Sequence, residues 1–95
     1  MAGNIKTKSE ALHPLGYQQI ADLTSAAALT VPANANVAIC IPTGDVIWRD
    51  DGTAPTSTVG MPLQTMQTIL YDGNLHTVRF IQSSGSAALN VSYYR

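Results

Sequence analysis

The side chains able to do chemistry are few, and only one group of them is adjacent in the chain. Arg49, Asp50 and Asp51 follow Val46-Ile47-Trp48 and precede Gly52. They read as a charged recognition element or, more simply, as a local ion pair that holds a turn, since exposed pairs are common and individually weak. As paired carboxylates for acid–base work, Asp50 and Asp51 are poorly arranged, because adjacent strand residues point to opposite faces. With Asp45 they offer oxygen ligands, but their spacing is not the alternating pattern of a calcium loop. Trp48 is either a rigid contact platform or a core tryptophan. His13 and His76 are the only histidines and Cys40 is the only cysteine, so neither a zinc spacing nor an intrachain disulfide is available. Ile39 and Ile41 flank Cys40, which predicts a buried, inert thiol. His76 follows a turn and reads as a surface residue. No nucleophile elbow and no glycine-rich phosphate loop accompany these residues. The expectation is a protein that is not an enzyme and that takes no cofactor or metal.

The elements that would position these residues are strands. Val46-Ile47-Trp48-Arg49 is β-branched and aromatic, with Val46 and Trp48 on one face and Ile47 and Arg49 on the other. Asp50-Asp51-Gly52 breaks it, because Asp bonds nearby backbone N–H groups and Gly takes positive φ freely. Residues 53–58 hold Pro55 and no large apolar side chain, so they form a loop. Val59, Met61 and Leu63 are the candidate anchors for its return. Val37-Ala38-Ile39-Cys40-Ile41 alternates large and small side chains and is the best candidate for a central strand. The three residues Thr43-Gly44-Asp45 then predict a hairpin between residues 37–41 and 46–49. Further strands are expected at residues 17–23, 29–31, 67–71, 77–82 and 87–94. In the last, Leu89, Val91 and Tyr93 share one face, and Asn90, Ser92 and Tyr94 the other.

About seven short strands at regular spacing, with no long helical period, predict an all-β fold. We expect a small antiparallel β-sandwich or barrel, jelly-roll-like, with an extended N-terminal arm over residues 1–16 and a single domain over residues 17–95. Ninety-five residues suffice for one such domain. Only 12% of residues are charged while 45% are hydrophobic, which excludes a disordered polyelectrolyte and leaves the surface thinly charged. Cover by other subunits would account for that. Net charge is −1 without a basic stripe, so direct nucleic-acid binding is not expected. No run is long enough to span a membrane. No apolar stretch follows Lys6 and Lys8, so no signal peptide is expected and synthesis is assigned to a cytoplasm.

The runs Trp48-Arg49-Asp50-Asp51-Gly52-Thr53-Ala54-Pro55-Thr56 and Val59-Gly60-Met61-Pro62-Leu63 resemble a group of small structural proteins encoded by tailed bacteriophages and prophages. Tyr71-Asp72-Gly73-Asn74-Leu75, Val78-Arg79-Phe80-Ile81 and the run from Leu89 to Tyr94 extend the likeness over roughly residues 37–95. It carries no catalytic residues to transfer. The resemblance implies a virion protein, made in the host bacterial cytoplasm. Together with the thinly charged surface and the arm, it suggests a capsid decoration or cement protein that binds the major capsid protein or other virion proteins. A homo-oligomer, a trimer ahead of a dimer, is expected. The expected contact residues are Trp48, Arg49, Asp50 and Asp51 at the loop, with Ile5, Leu12 and Leu15 on the arm. The alternatives are a neck, tail or fibre-base component, or a host-surface carbohydrate-binding module in which Trp48, Tyr93 or Tyr94 stacks on a sugar.

Overall fold

The small and large side chains of the run from Val37 to Pro42 decide where the core lies. Ala38, Cys40 and Pro42 point inward and are fully buried, and their cross-strand partners are Tyr93, Val91 and Leu89. Each small residue makes room for a large one, as a close-packed interior requires. The computed structural model describes residues 12–95, and within them every regular element is a strand. They are β1 (Pro14–Ile20), β2 (Ala27–Ala28), β3 (Val37–Pro42), β4 (Val46–Arg49), β5 (Met61–Leu63), β6 (Ile69–Tyr71), β7 (Arg79–Gln82) and β8 (Leu89–Tyr94).

Two four-stranded antiparallel sheets form, in the orders β1-β8-β3-β6 and β2-β7-β4-β5. First pairs with last, second with seventh, third with sixth and fourth with fifth, as if one long hairpin had been rolled up. That is the strand order of an eight-stranded jelly roll. The sandwich expected from the sequence is therefore present, with one more strand than anticipated.

The interior is apolar throughout. Phe80 and Val78 meet Leu89, Val91 and Tyr93 from the opposite sheet, together with Leu23, Val46, Leu63 and Leu75. No buried polar or charged residue occurs among the described residues. The face assignments in β4 and β8 hold: Val46 lies in the core cluster with Trp48 against it, and Leu89, Val91 and Tyr93 are buried.

Several expectations are corrected. The hairpin between β3 and β4 does not exist; the strands lie in different sheets, and Thr43-Gly44-Asp45 carries the chain across the sandwich. The partners of β3 are β6 and β8, and those of β4 are β5 and β7. Leu29 is buried but belongs to no strand, the second strand being Ala27–Ala28 instead. Of the anchors after the loop only Leu63 is buried, while Val59 and Met61 are about half exposed. β1 begins at Pro14, so the boundary expected at residue 16 falls inside a strand. Leu15 packs against the core from β1, where a bulge between Pro14 and Gly16 shifts the register. Leu12 is half-buried just ahead of that strand. Ile5 and the arm up to residue 11 lie outside the described residues.

Candidate functional site

Two surfaces stand out, one charged and one without charge. The charged one is built where β4 ends. Trp48 points inward, its ring edge-on to Tyr71 with centroids 6.1 Å apart. Arg49 points outward, opposite Arg79 on β7. Like charges directly opposite one another in a sheet repel. Asp51 relieves this by accepting from both Nε (3.1 Å) and Nη2 of Arg49, a fork that matches carboxylate geometry. The hydrogen bond from Arg49 holds the Asp51 carboxyl below the usual carboxylate range, and the same contact raises Arg49. Arg79 donates instead to the His76 carbonyl at 3.2 Å. Asp50 accepts from the Tyr71 hydroxyl at 2.7 Å, and burial together with this carboxylate raises the tyrosine pKa.

The following loop is tied at both ends. Gly52 takes φ 86° at the turn, Pro55 is buried, and Thr56 and Val59 exchange backbone hydrogen bonds of 3.0 and 3.3 Å. Gly60, at φ 143°, lies directly on β4, where a Cβ would strike Ile47 and come within 2.9 Å of the Trp48 carbonyl oxygen. Ile47 is thereby buried outside the core, under the returning loop. Between them, Arg49, Asp50, Asp51, Gly60 and Met61 line an open-sided cleft of about 340 Å³.

Trp48, Arg49, Asp50 and Asp51 are thus brought together, while Leu12 and Leu15 lie on the other sheet's first strand and its approach. Arg49 and Asp51 are spent on one another and Asp50 on the Tyr71 hydroxyl, while the Trp48 ring packs against the core and Tyr71. Tyr93 is equally committed: its ring is in the core and its hydroxyl donates to Gln18 Oε1 at 2.6 Å. No group of three or more His, Cys, Asp or Glu able to hold a metal occurs among the described residues.

The uncharged surface is the outer face of the first sheet. Registered pairs place Tyr17, Ser92, Ile39 and Leu70 in one row across all four strands. Gln19, Asn90 and Ile41 form the row on one side of it, and Tyr94 with Val37 the row on the other. Tyr17 is 66% and Leu70 58% exposed; Val37, Ile39, Ile41 and Tyr94 are half-buried. Asn90 Oδ1 accepts from the Tyr17 hydroxyl (2.6 Å) and from Gln19 Nε2 (3.0 Å), and Tyr94 accepts from Ser92. No charged side chain stands in any of these rows. The sequence signal for this face was the large outward set Val37, Ile39 and Ile41, whose neighbours on β1 and β6 only the strand order reveals.

Compared with known proteins, the chain matches no family model, no curated protein and no solved structure.

Proposed function

We propose that the chain is a structural protein of a bacteriophage virion and decorates the assembled head. The outer face of the first sheet would lie on the shell of major capsid protein. The observation that carries this reading is the segregation of charge. Arg49, Asp50, Asp51 and Arg79 belong to β4, β7 and the adjoining turn, while the other sheet offers an uncharged face on which Val37, Ile39, Ile41 and Leu70 lie beside Gln19, Asn90 and Ser92. A contiguous exposed apolar patch is a recurrent mark of an interaction surface. The setting in a virion comes from the resemblance of residues 48–63 and 71–94, since a jelly roll by itself hosts many functions.

Four strands about 4.8 Å apart, five residues long, cover roughly 300 Å². That is under half of the ~800 Å² per partner of a standard stable complex. Such a face holds best to a partner presented repeatedly, as on a shell, where several weak contacts act together. The charged cleft, on the opposite side, would stay open to solvent.

Co-sedimentation with assembled capsids of the encoding phage tests the proposal. Saturable binding is expected, lost in Leu70→Lys and retained in Arg49→Ala. Failure of the intact chain to bind shells overturns it and favours a neck, tail or fibre-base position. Loss in Arg49→Ala alone would move the contact to the cleft.

A further inference from the structure

The four sheet edges are not alike. β2 has two residues, β6 has three, and β5 has three with a proline in the middle. Short strands and prolines are the usual means of keeping an edge from pairing with another chain. β1 has seven residues, its only proline is the first, and it carries no charged side chain. It is the outermost strand of its sheet.

The hydrogen-bond register shows what that edge presents. On β8, the Tyr94 carbonyl accepts from Asn36, on the β3 side. Arg95 exchanges both of its backbone bonds with His13, on the β1 side. Antiparallel ladders alternate strictly between neighbours. Tyr93, Val91 and Leu89 therefore bond to β1, where their partners are Gly16, Gln18 and Ile20. Tyr17 and Gln19 are left with N–H and C=O directed away from the sheet. No backbone hydrogen bond to either, other than those within the sheet, occurs among the described residues.

We infer that β1 pairs with β1 of a second copy of this chain, antiparallel, about a two-fold axis at Gln18. In that register Tyr17 and Gln19 of one copy exchange backbone hydrogen bonds with Gln19 and Tyr17 of the other, and the two outer faces join into one eight-stranded sheet. Self-pairing brings no like charges together. It carries Asp22, just past the end of β1, toward the end of the second copy that holds His13 and the Arg95 side chain. Tyr17 and Gln19 are already fixed by Asn90, so little side-chain freedom is lost on pairing. Both contacts are used up by the two-fold, so the assembly closes at a dimer, whereas a trimer would need a different surface. An edge contact of this length falls below the standard interface size, so the dimer is weak and concentration-dependent. The inference does not depend on what occupies the outer face.

Sedimentation velocity of the full chain from about 5 μM to about 1 mM, with amide hydrogen exchange on the same samples, tests it. The sedimentation coefficient is expected to rise toward a dimer, with protection of the Tyr17 and Gln19 amides rising in step. Gln19→Pro removes an N–H that β8 does not use, so the fold is kept, as circular dichroism would verify. It should weaken association about tenfold or more, because the two-fold counts every lost bond twice. Tyr17→Lys, placing like charges near the axis, should do the same. Leu70→Lys, at the far edge of the same sheet, should leave association intact. A chain monomeric at every concentration, a trimer, or association abolished by Leu70→Lys but not by Gln19→Pro would each overturn the inference.

Discussion

Gly60 carries the sharpest test of how the charged cleft is held. A Cβ there would collide with Ile47 Cγ2, and would lie 2.9 Å from the Trp48 carbonyl oxygen and 3.2 Å from Arg49 Cγ. Its φ of 143° adds a conformation that side-chain-bearing residues rarely adopt. The backbone strain costs about 1–3 kcal/mol, and forcing a methyl into a filled space costs about as much again. Gly60→Ala should therefore lose about 3 kcal/mol. A chain of this size has roughly 5–14 kcal/mol in total. With a urea slope of ~1.5 kcal/mol per molar, the unfolding midpoint should fall by ~2 M. Gly52→Ala is the matched control: φ is also positive, at 86°, but nothing lies within 4 Å of the added methyl. That variant should lose only ~1 kcal/mol, the backbone part alone. Urea titrations followed by Trp48 fluorescence compare the two directly. If Gly60→Ala costs no more than Gly52→Ala, the loop is not seated on β4 and the account of the cleft is wrong.

Tyr93→Phe keeps the ring in the core but removes the hydroxyl that donates to Gln18. Gln18 Oε1 still accepts from the Thr30 backbone N–H, so a loss of about 1 kcal/mol is expected in thermal or urea unfolding. Stability should also decline in alkali. Burial pushes Cys40 and Tyr93 up to about 12 from ordinary values of 9.0 and 10.0. The unfolded chain thus ionises first, and stability falls as pH rises above about 9. Cys40→Ala should move that onset toward pH 10, read from unfolding midpoints across the range. On the acid side, the backbone N–H and the hydroxyl of Thr65 hold Asp45 below its usual 3.8. Its contribution is present above that value and is lost as pH falls through the lower folded value. Asp45→Ala should accordingly flatten the acid-side slope, and an unchanged slope would refute the role.

What could be read from the chain was what local chemistry decides. Alternation in residues 46–49 and 89–94 assigned inward and outward faces correctly, because only one face of each strand packs into the core; Ile47, on the outer face of β4, is buried by the returning loop instead. Cys40 was rightly placed in the interior, but its isoleucine neighbours face outward; what buries it is the pairing of its side of β3 with Val91 on β8. The pairing of β3 with β4 was not legible. Thr43-Gly44-Asp45 has the length and the glycine of a hairpin turn, yet contacts distant in sequence redirect it. A Cβ on Gly44 would come within 2.7 Å of the Ser86 carbonyl, so this turn is wedged against the start of β8. Thr43 donates its N–H to Ala88, Ser83 donates to the Asp45 carbonyl, and the Asp45 carboxylate holds Thr65. All three partners lie at least twenty residues away, beyond the reach of any turn signature. The cleft was half legible: the run Trp48 to Asp51 marked the place, but Gly60 and Met61, which close it, come from the returning loop and β5, and Tyr71 and Arg79, which bear on its charges, from β6 and β7.

The edge and the face act on one another. A face of roughly 300 Å² is too small to bind firmly alone. Two chains joined through β1 would set two such faces side by side in a single continuous sheet. The second face then meets the shell at high effective concentration once the first has docked. Both proposals can be separated by the same variants. Gln19→Pro trims one bond at the rim of the face, Gln19 to Asn90, and keeps the row Tyr17, Ser92, Ile39 and Leu70, so if dimerisation supplies avidity it should weaken capsid binding without abolishing it. Leu70→Lys should abolish capsid binding and leave the dimer. Should Gln19→Pro bind shells as tightly as the intact chain, the edge plays no part in docking, and each copy attaches by its own face.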